Sequence, residues 1–186
     1  QIARRFLKGE VLSEKEALEG ASDIIAEWIA ENPHNRNRIR NSISRHGRLT
    51  AKGAASGTKY ADYEGYSSPL SRVQPHAFLA LQRAESQKIL RLSVESDDPG
   101  DVNSLLRNTL THGCPKDCAE IIEDAVIDSY KRLLKPSVIS EIMKELKERS
   151  DRESISLFSE ALRQVLLSAP VSGYSVMAID RGFRTV

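Results

Sequence analysis

The chain has 186 residues, of which 40% are apolar, 28% charged and 5% aromatic, and its formal net charge is +1. That length holds one sizeable domain, or one domain and the start of another. The balanced charge excludes a polycation acting through bulk attraction, two cysteines exclude a secreted disulfide scaffold, and no run approaches the roughly 18 apolar residues of a membrane span.

The first predicted element is a helix over 13–31. Ser13 stands as N-cap with Glu16 completing a capping box, and Ala17, Leu18, Ala21, Ile24, Ile25, Trp28 and Ile29 follow at helical spacing. Pro33 ends it, and a shorter basic helix over 34–46 carries Ile39 and Ile43 on one side. From 47 to 65, glycines scattered among Ser, Thr and Tyr predict a loop-rich connector with one short strand. Pro69 and Pro75 frame a turn before a helix over 76–86, and the alternation through Ile89–Val94 predicts a strand. Asp97–Asp101 reads as a turn and 102–111 as a helix. Pro115 opens a helix running to Leu134, and Pro136 starts another with Ile139, Ile142, Met143 and Leu146 inward. Asp151 caps a last helix through Ile155, Phe158, Leu162, Val165 and Leu166, closed by Pro170. Ser175–Asp180 reads as a buried strand that the remaining six residues cannot partner. The predicted fold is mainly α, a multi-helical array with a small β element and an orphan C-terminal strand. That unpartnered strand, and an opening Gln1–Arg5 without initiator Met or signal sequence, predict an internal piece of a longer protein.

The segment 36–59 carries the densest chemistry. Arg36, Arg38, Arg40, Arg45, Arg48, Lys52 and Lys59 occur with no acidic residue before Asp62, and His34 and His46 lie beside them. Such a run displaces counterions from a phosphate backbone without reading sequence. Tyr60, Tyr63 and Tyr66 follow and offer stacking surfaces for unpaired bases. The plainer reading is a solvated basic face, or one docked on an acidic neighbour, with tyrosines pinning a loop.

Other features carry less. Cys114 and Cys118, with His112 nearby, fall short of four zinc ligands and lack redox spacing, so they read as an incidental pair. His76 after a proline suits a capping or packing role. Asp180, at the end of an apolar run, sits where RNase H-like nucleases hold a metal-binding acid, but two-metal chemistry needs several converging carboxylates. No catalytic residue, metal site or cofactor is predicted.

Several stretches, in order, resemble the Tex family of transcription accessory proteins. Ala17–Glu27 is similar to the family's opening helix, Arg48–Lys52 to its basic turn, and Lys59–Tyr63 with Tyr66–Leu70 to its tyrosine-rich connector. Leu79–Glu85, Asp128–Ser137 and Phe158–Pro170 match in turn, with Ala84 where the family usually has Gly. Ala178–Thr185 resembles the entry to its YqgF-like RNase H fold, although Arg181 and Val186 replace the usual proline and glycine.

The resemblance implies a Tex-like central helical region over 1–170 and the first strand of an RNase H-like domain over 171–186. It implies a nucleic-acid-binding protein whose other domains are N-terminal helical, RNase H-like, helix-hairpin-helix and an RNA-binding OB fold. This region is then a non-enzymatic scaffold making auxiliary phosphate contacts to RNA or DNA. Its location would be intracellular: cytoplasmic in a bacterium, plastid or nuclear in a eukaryote. The alternative is a protein-interaction module docking neighbouring domains or the transcription or ribosomal machinery, and a third reading is part of a metal-dependent nuclease.

Overall fold

A computed structural model describes residues 13–53, 55–96, 99–109, 116–169, 173, 175 and 177–179. Helix α1, Glu14–Glu31, begins as its sequence dictates. The Ser13 hydroxyl accepts from the Glu16 amide at 3.2 Å, and the Glu16 carboxylate accepts from the Ser13 amide at 3.2 Å. One residue, Asn32, separates α1 from α2, Pro33–His46. The Asn32 side chain accepts from the His34 amide at 2.9 Å, and Pro33 takes the first turn, where no amide hydrogen is needed. Buried Asn35 then reaches back to donate to the Ile29 carbonyl at 3.1 Å, tying the two helices together.

The connector over 47–65 holds one short strand, as its sequence predicts, and that strand organises a sheet. Strand β1, Arg48–Lys52, is central in an antiparallel sheet of order β2-β1-β3, with β2 at Ser67–Pro69 and β3 at Arg91–Glu95. Leu49 pairs with Ser68 on one side and with Val94 on the other. Gly47 joins α2 to this sheet. Its amide donates to the Ile43 carbonyl at 2.7 Å and its carbonyl accepts from Leu70 at 3.0 Å. A Cβ there would lie 2.4 Å from the Ile43 oxygen and 2.6 Å from Leu70 Cδ1. Gly47→Ala is therefore expected to cost about 1–3 kcal/mol, read as a lower denaturant midpoint at unchanged slope; an unchanged midpoint would show that the junction relaxes freely.

Helix α3, Pro75–Ser86, buries Ala77, Phe78, Leu81 and Ala84, and α4 spans Pro99–Thr109. The latter starts at Pro99, three residues before the predicted 102, because proline is well suited to a first helical turn. Helix α5, Lys116–Asp128, runs through a π-turn at Ser129–Leu134 directly into α6, Lys135–Leu166. Pro136 falls just after the widened turn, in which the Lys135 amide bonds the Tyr130 carbonyl five residues back. A regular helix would set the proline ring against a carbonyl four residues earlier, and the π-turn relieves that clash. Inside the same turn, buried Ser129 donates to the Ala26 carbonyl at 2.7 Å, locking it against α1.

Two expectations fail in α6. No break occurs at Asp151, whose carboxylate pairs with Lys147 one turn earlier at 2.8 Å instead of capping amides. Nor is the last apolar stripe buried: Val138, Ile142, Leu146 and Ser150 face the core, but every residue from Ile155 to Leu166 is exposed. Of the predicted terminal strand, Ser175 and Met177–Ile179 lie outside the sheet and are exposed, while Val176 and Asp180 are outside the described residues.

The core gathers Ile29, Ile39, Ile43, Leu49, Phe78 and Leu81 with Leu134, Val138 and Ile142. On its surface, Arg132 of the π-turn clamps Asp128 at 2.7 Å and Asp23 of α1 at 2.8 Å. The Arg132 hydrogen bond holds the Asp128 carboxyl below its ordinary value, against a smaller opposing effect of burial. A depressed carboxyl stabilises the fold above its unfolded pKa, and that contribution is lost as pH falls through the folded value. Asp128→Asn should therefore lower the melting temperature slightly at neutral pH and not at strongly acidic pH; equal losses at both would remove the clamp as the cause.

Candidate nucleic-acid interface

Helix α2 divides its arginines between two faces. Arg36 and Arg40, one turn apart, form ion pairs with Glu141 and Glu145, one turn apart on α6, and Arg36 also donates to Ser137 Oγ at 3.0 Å. The matching spacing makes this a ladder between helices, so these guanidinium groups are engaged in packing α2 on α6.

Arg38 and Arg45 project elsewhere. Both are exposed and have no hydrogen bond or ion pair among the described residues. They stand two turns apart, about 10 Å along the axis. With His34, Asn37, Asn41, Ser42 and His46 they line an open cleft of about 570 Å³, closed on its far side by Gly100 and Asp101 at the start of α4. His34, Arg38, Asn41 and Arg45 recur at the spacing of one helical stripe. Asp101 is itself buried and lies 3.4 Å from the Tyr130 hydroxyl.

The remaining predicted residues are dispersed and mostly engaged. Arg48 lies across the β1–β2 pair, donating to Ser67 Oγ at 3.1 Å and to the Ser67 carbonyl at 3.3 Å. Lys52 pairs with Glu95 on β3 at 2.7 Å. Lys59 sits 5.1 Å from the centre of the Tyr60 ring. Tyr60 is only 4% exposed and belongs to the core, which leaves no open ring face for a base. Tyr63 and Tyr66 pack on each other, ring centres 6.3 Å apart at 53°, and against that core. The glycine-rich connector thus uses its tyrosines to fill the space beneath the sheet.

The structure adds to the cleft Asn37, Asn41 and Ser42, which charge counting passes over because they are neutral. Among the described residues there is no group of three or more His, Cys, Asp or Glu able to hold a metal, and no helix long and apolar enough to cross a membrane. Cys118 is a free, exposed thiol, and Cys114 and His112 lie outside the described residues.

A family model described as Tex central region-like matches residues 1–158. The chain is 37% identical over 182 residues to the Bacillus subtilis protein YdcI, covering 95% of this chain and 25% of that protein. It is 24% identical over 190 residues to the transcriptional accessory protein Tex of Neisseria gonorrhoeae, covering 98% and 25%. To the human S1 RNA-binding domain-containing protein 1 it is 28% identical over 181 residues, covering 89% and 18%. The chain spans about a quarter or less of the length of these relatives.

Proposed function

Because this chain belongs to the Tex family, whose central region it matches, we propose that it is a non-enzymatic helical scaffold of a nucleic-acid-binding transcription accessory protein. Its own contribution is an auxiliary grip on the phosphate backbone of RNA or DNA. The observation that carries this reading is the division of α2: Arg36 and Arg40 are held by α6, whereas Arg38 and Arg45 face a cleft without partners. Unpaired guanidinium groups beside neutral donors suit phosphate oxygens, which accept from the planar fork without sequence preference. Residues 1–170 form this scaffold, and 171–186 lead into an RNase H-like domain.

The names of two relatives agree with this reading, one as a transcriptional accessory protein and one as an S1 RNA-binding domain-containing protein. The test is a titration of the 186-residue chain with RNA and DNA oligonucleotides over a range of salt. The logarithm of the binding constant should fall linearly with the logarithm of salt concentration; undetectable or salt-independent binding would end the reading.

A second reading, docking onto neighbouring domains or the transcription or translation machinery, is favoured by the bare outer half of α6. Ile155, Phe158, Val165 and Leu166 are all about two-thirds exposed or more there. The two readings use different faces and do not compete.

A further inference from the structure

The turn that joins α3 to β3 carries a residue its geometry disfavours. After the C-cap Gln87, the Lys88 amide donates to the Glu85 carbonyl at 2.8 Å and the Ile89 amide to the Ala84 carbonyl at 3.0 Å. This pair of bonds is a Schellman closure, which sets the residue after the cap in the left-handed region and usually places glycine there. Lys88 holds the position instead, at φ 59°, the one non-glycine residue with positive φ among the described residues. A side chain in that conformation costs free energy that glycine avoids. Gly53, at φ 147°, fixes the turn from the other side, since a Cβ there would lie 2.6 Å from the Ile89 carbonyl oxygen.

A second local cost stands beside the first. Strands β1 and β3 set Lys52 directly opposite Arg91, and like charges across a strand pair repel. Lys52 reaches Glu95 at 2.7 Å. Arg91 and Lys88 are exposed and have no hydrogen bond or ion pair among the described residues.

These two side chains line one cleft of about 400 Å³, with Lys52 and Glu85 beside them. Glu85 is its one acid, and that carboxylate accepts from the Leu92 amide at 3.0 Å. None of the large, exposed apolar side chains of the described residues borders the cleft, so it lacks the anchor that a protein partner would use. A cation also suits the negative end of a helix, but Arg83 already stands in the last turn of α3. Two breaches of local rules that converge on free cations mark a place where charge is kept for binding.

We propose that Lys88 and Arg91 hold a phosphate group of a nucleic-acid backbone, at the end of the sheet away from α2. The proposal rests on the nucleic-acid reading and extends it to a contact outside the α2 cleft. Lysine supplies a point charge on a flexible stem and arginine a planar fork, and neither reads sequence from a phosphate.

The test sets stability against binding. In the 186-residue chain, Lys88→Gly should raise the melting temperature by about 2–4 °C and cut the slope of log binding constant for an RNA or DNA oligonucleotide against log salt by about 0.7–0.9. Adding Arg91→Gln should bring the loss of slope to about 1.4–1.8. Lys88→Arg, which keeps the charge and the backbone conformation, should keep the slope. A higher melting temperature with an unchanged slope in Lys88→Gly would overturn this site and leave the α2 cleft standing, whereas a wild-type chain without salt-dependent binding would end both. Inorganic phosphate or a polyglutamate chain that binds more tightly than the oligonucleotide, and loses that affinity in Lys88→Gly, would overturn the assignment in favour of a small anion or an acidic protein segment.

Discussion

Reversing Arg38 and Arg45 to glutamate should cut the slope of log binding constant against log salt by about 1.4–1.8, the share of two phosphate contacts at 0.7–0.9 each. The fold should be unaffected, because neither side chain bonds to another described residue. Arg36→Glu with Arg40→Glu provides the contrast. Those substitutions set like charges against Glu141 and Glu145 and should lower the melting temperature while leaving the salt slope nearly intact. The comparison isolates geometry from composition, since both variants change the net charge of α2 equally. An equal loss of slope in the two would mean that the helix acts as an undivided basic rod. A slope unchanged in Arg38→Glu with Arg45→Glu would remove the cleft from the binding account.

Phe78→Ala is expected to be the most damaging single substitution, by about 3–5 kcal/mol. The ring is fully enclosed in the core that α3 shares with α2, β1 and α6. Deleting it removes transfer energy and leaves a cavity whose walls belong to elements joined across the whole chain. Against a domain stability of about 5–15 kcal/mol, that loss brings the chain close to its unfolding threshold. Chemical denaturation read by circular dichroism measures it; a loss below about 1 kcal/mol would require the core to collapse around the gap.

Local rules made α1 legible in advance, because Ser13, Glu16 and Pro33 act within one turn of where they stand. The helices at α2, α3 and α5 and the strand at β3 were equally plain from periodicity. Strand pairing was not, since β1 and β3 are separated by the 38 residues 53–90 and nothing near Leu49 specifies Val94. The unbroken α6 was missed for a different reason. Asp151 satisfies the rule for an N-cap, but an ion pair with Lys147 and the buried Ser150 keep it inside the helix.

The basic segment shows the same limit in its chemistry. Seven cations without acids look equivalent in a sequence, yet five are engaged. The acids that hold Arg36 and Arg40 lie 105 residues onward in each case, at the same one-turn spacing. That repeated spacing was a signal in the sequence, visible once the two helices are placed side by side. Tyr60 misled because tyrosines next to glycines suit a stacking platform and a core plug alike, and only burial separates the two.

The uninterrupted α6 has a mechanical consequence. Its 32 residues make a rod of about 48 Å, and the part beyond Ser150, its last buried residue, extends roughly 24 Å. The inner half is fixed by the arginine ladder and by Val138, Ile142 and Leu146, so the outer half works as a lever arm. A tilt of about 10° at Glu145, where α2 grips it, would move the tip by roughly 5 Å. That overhang would amplify any rotation of the inner half toward the Leu166 end.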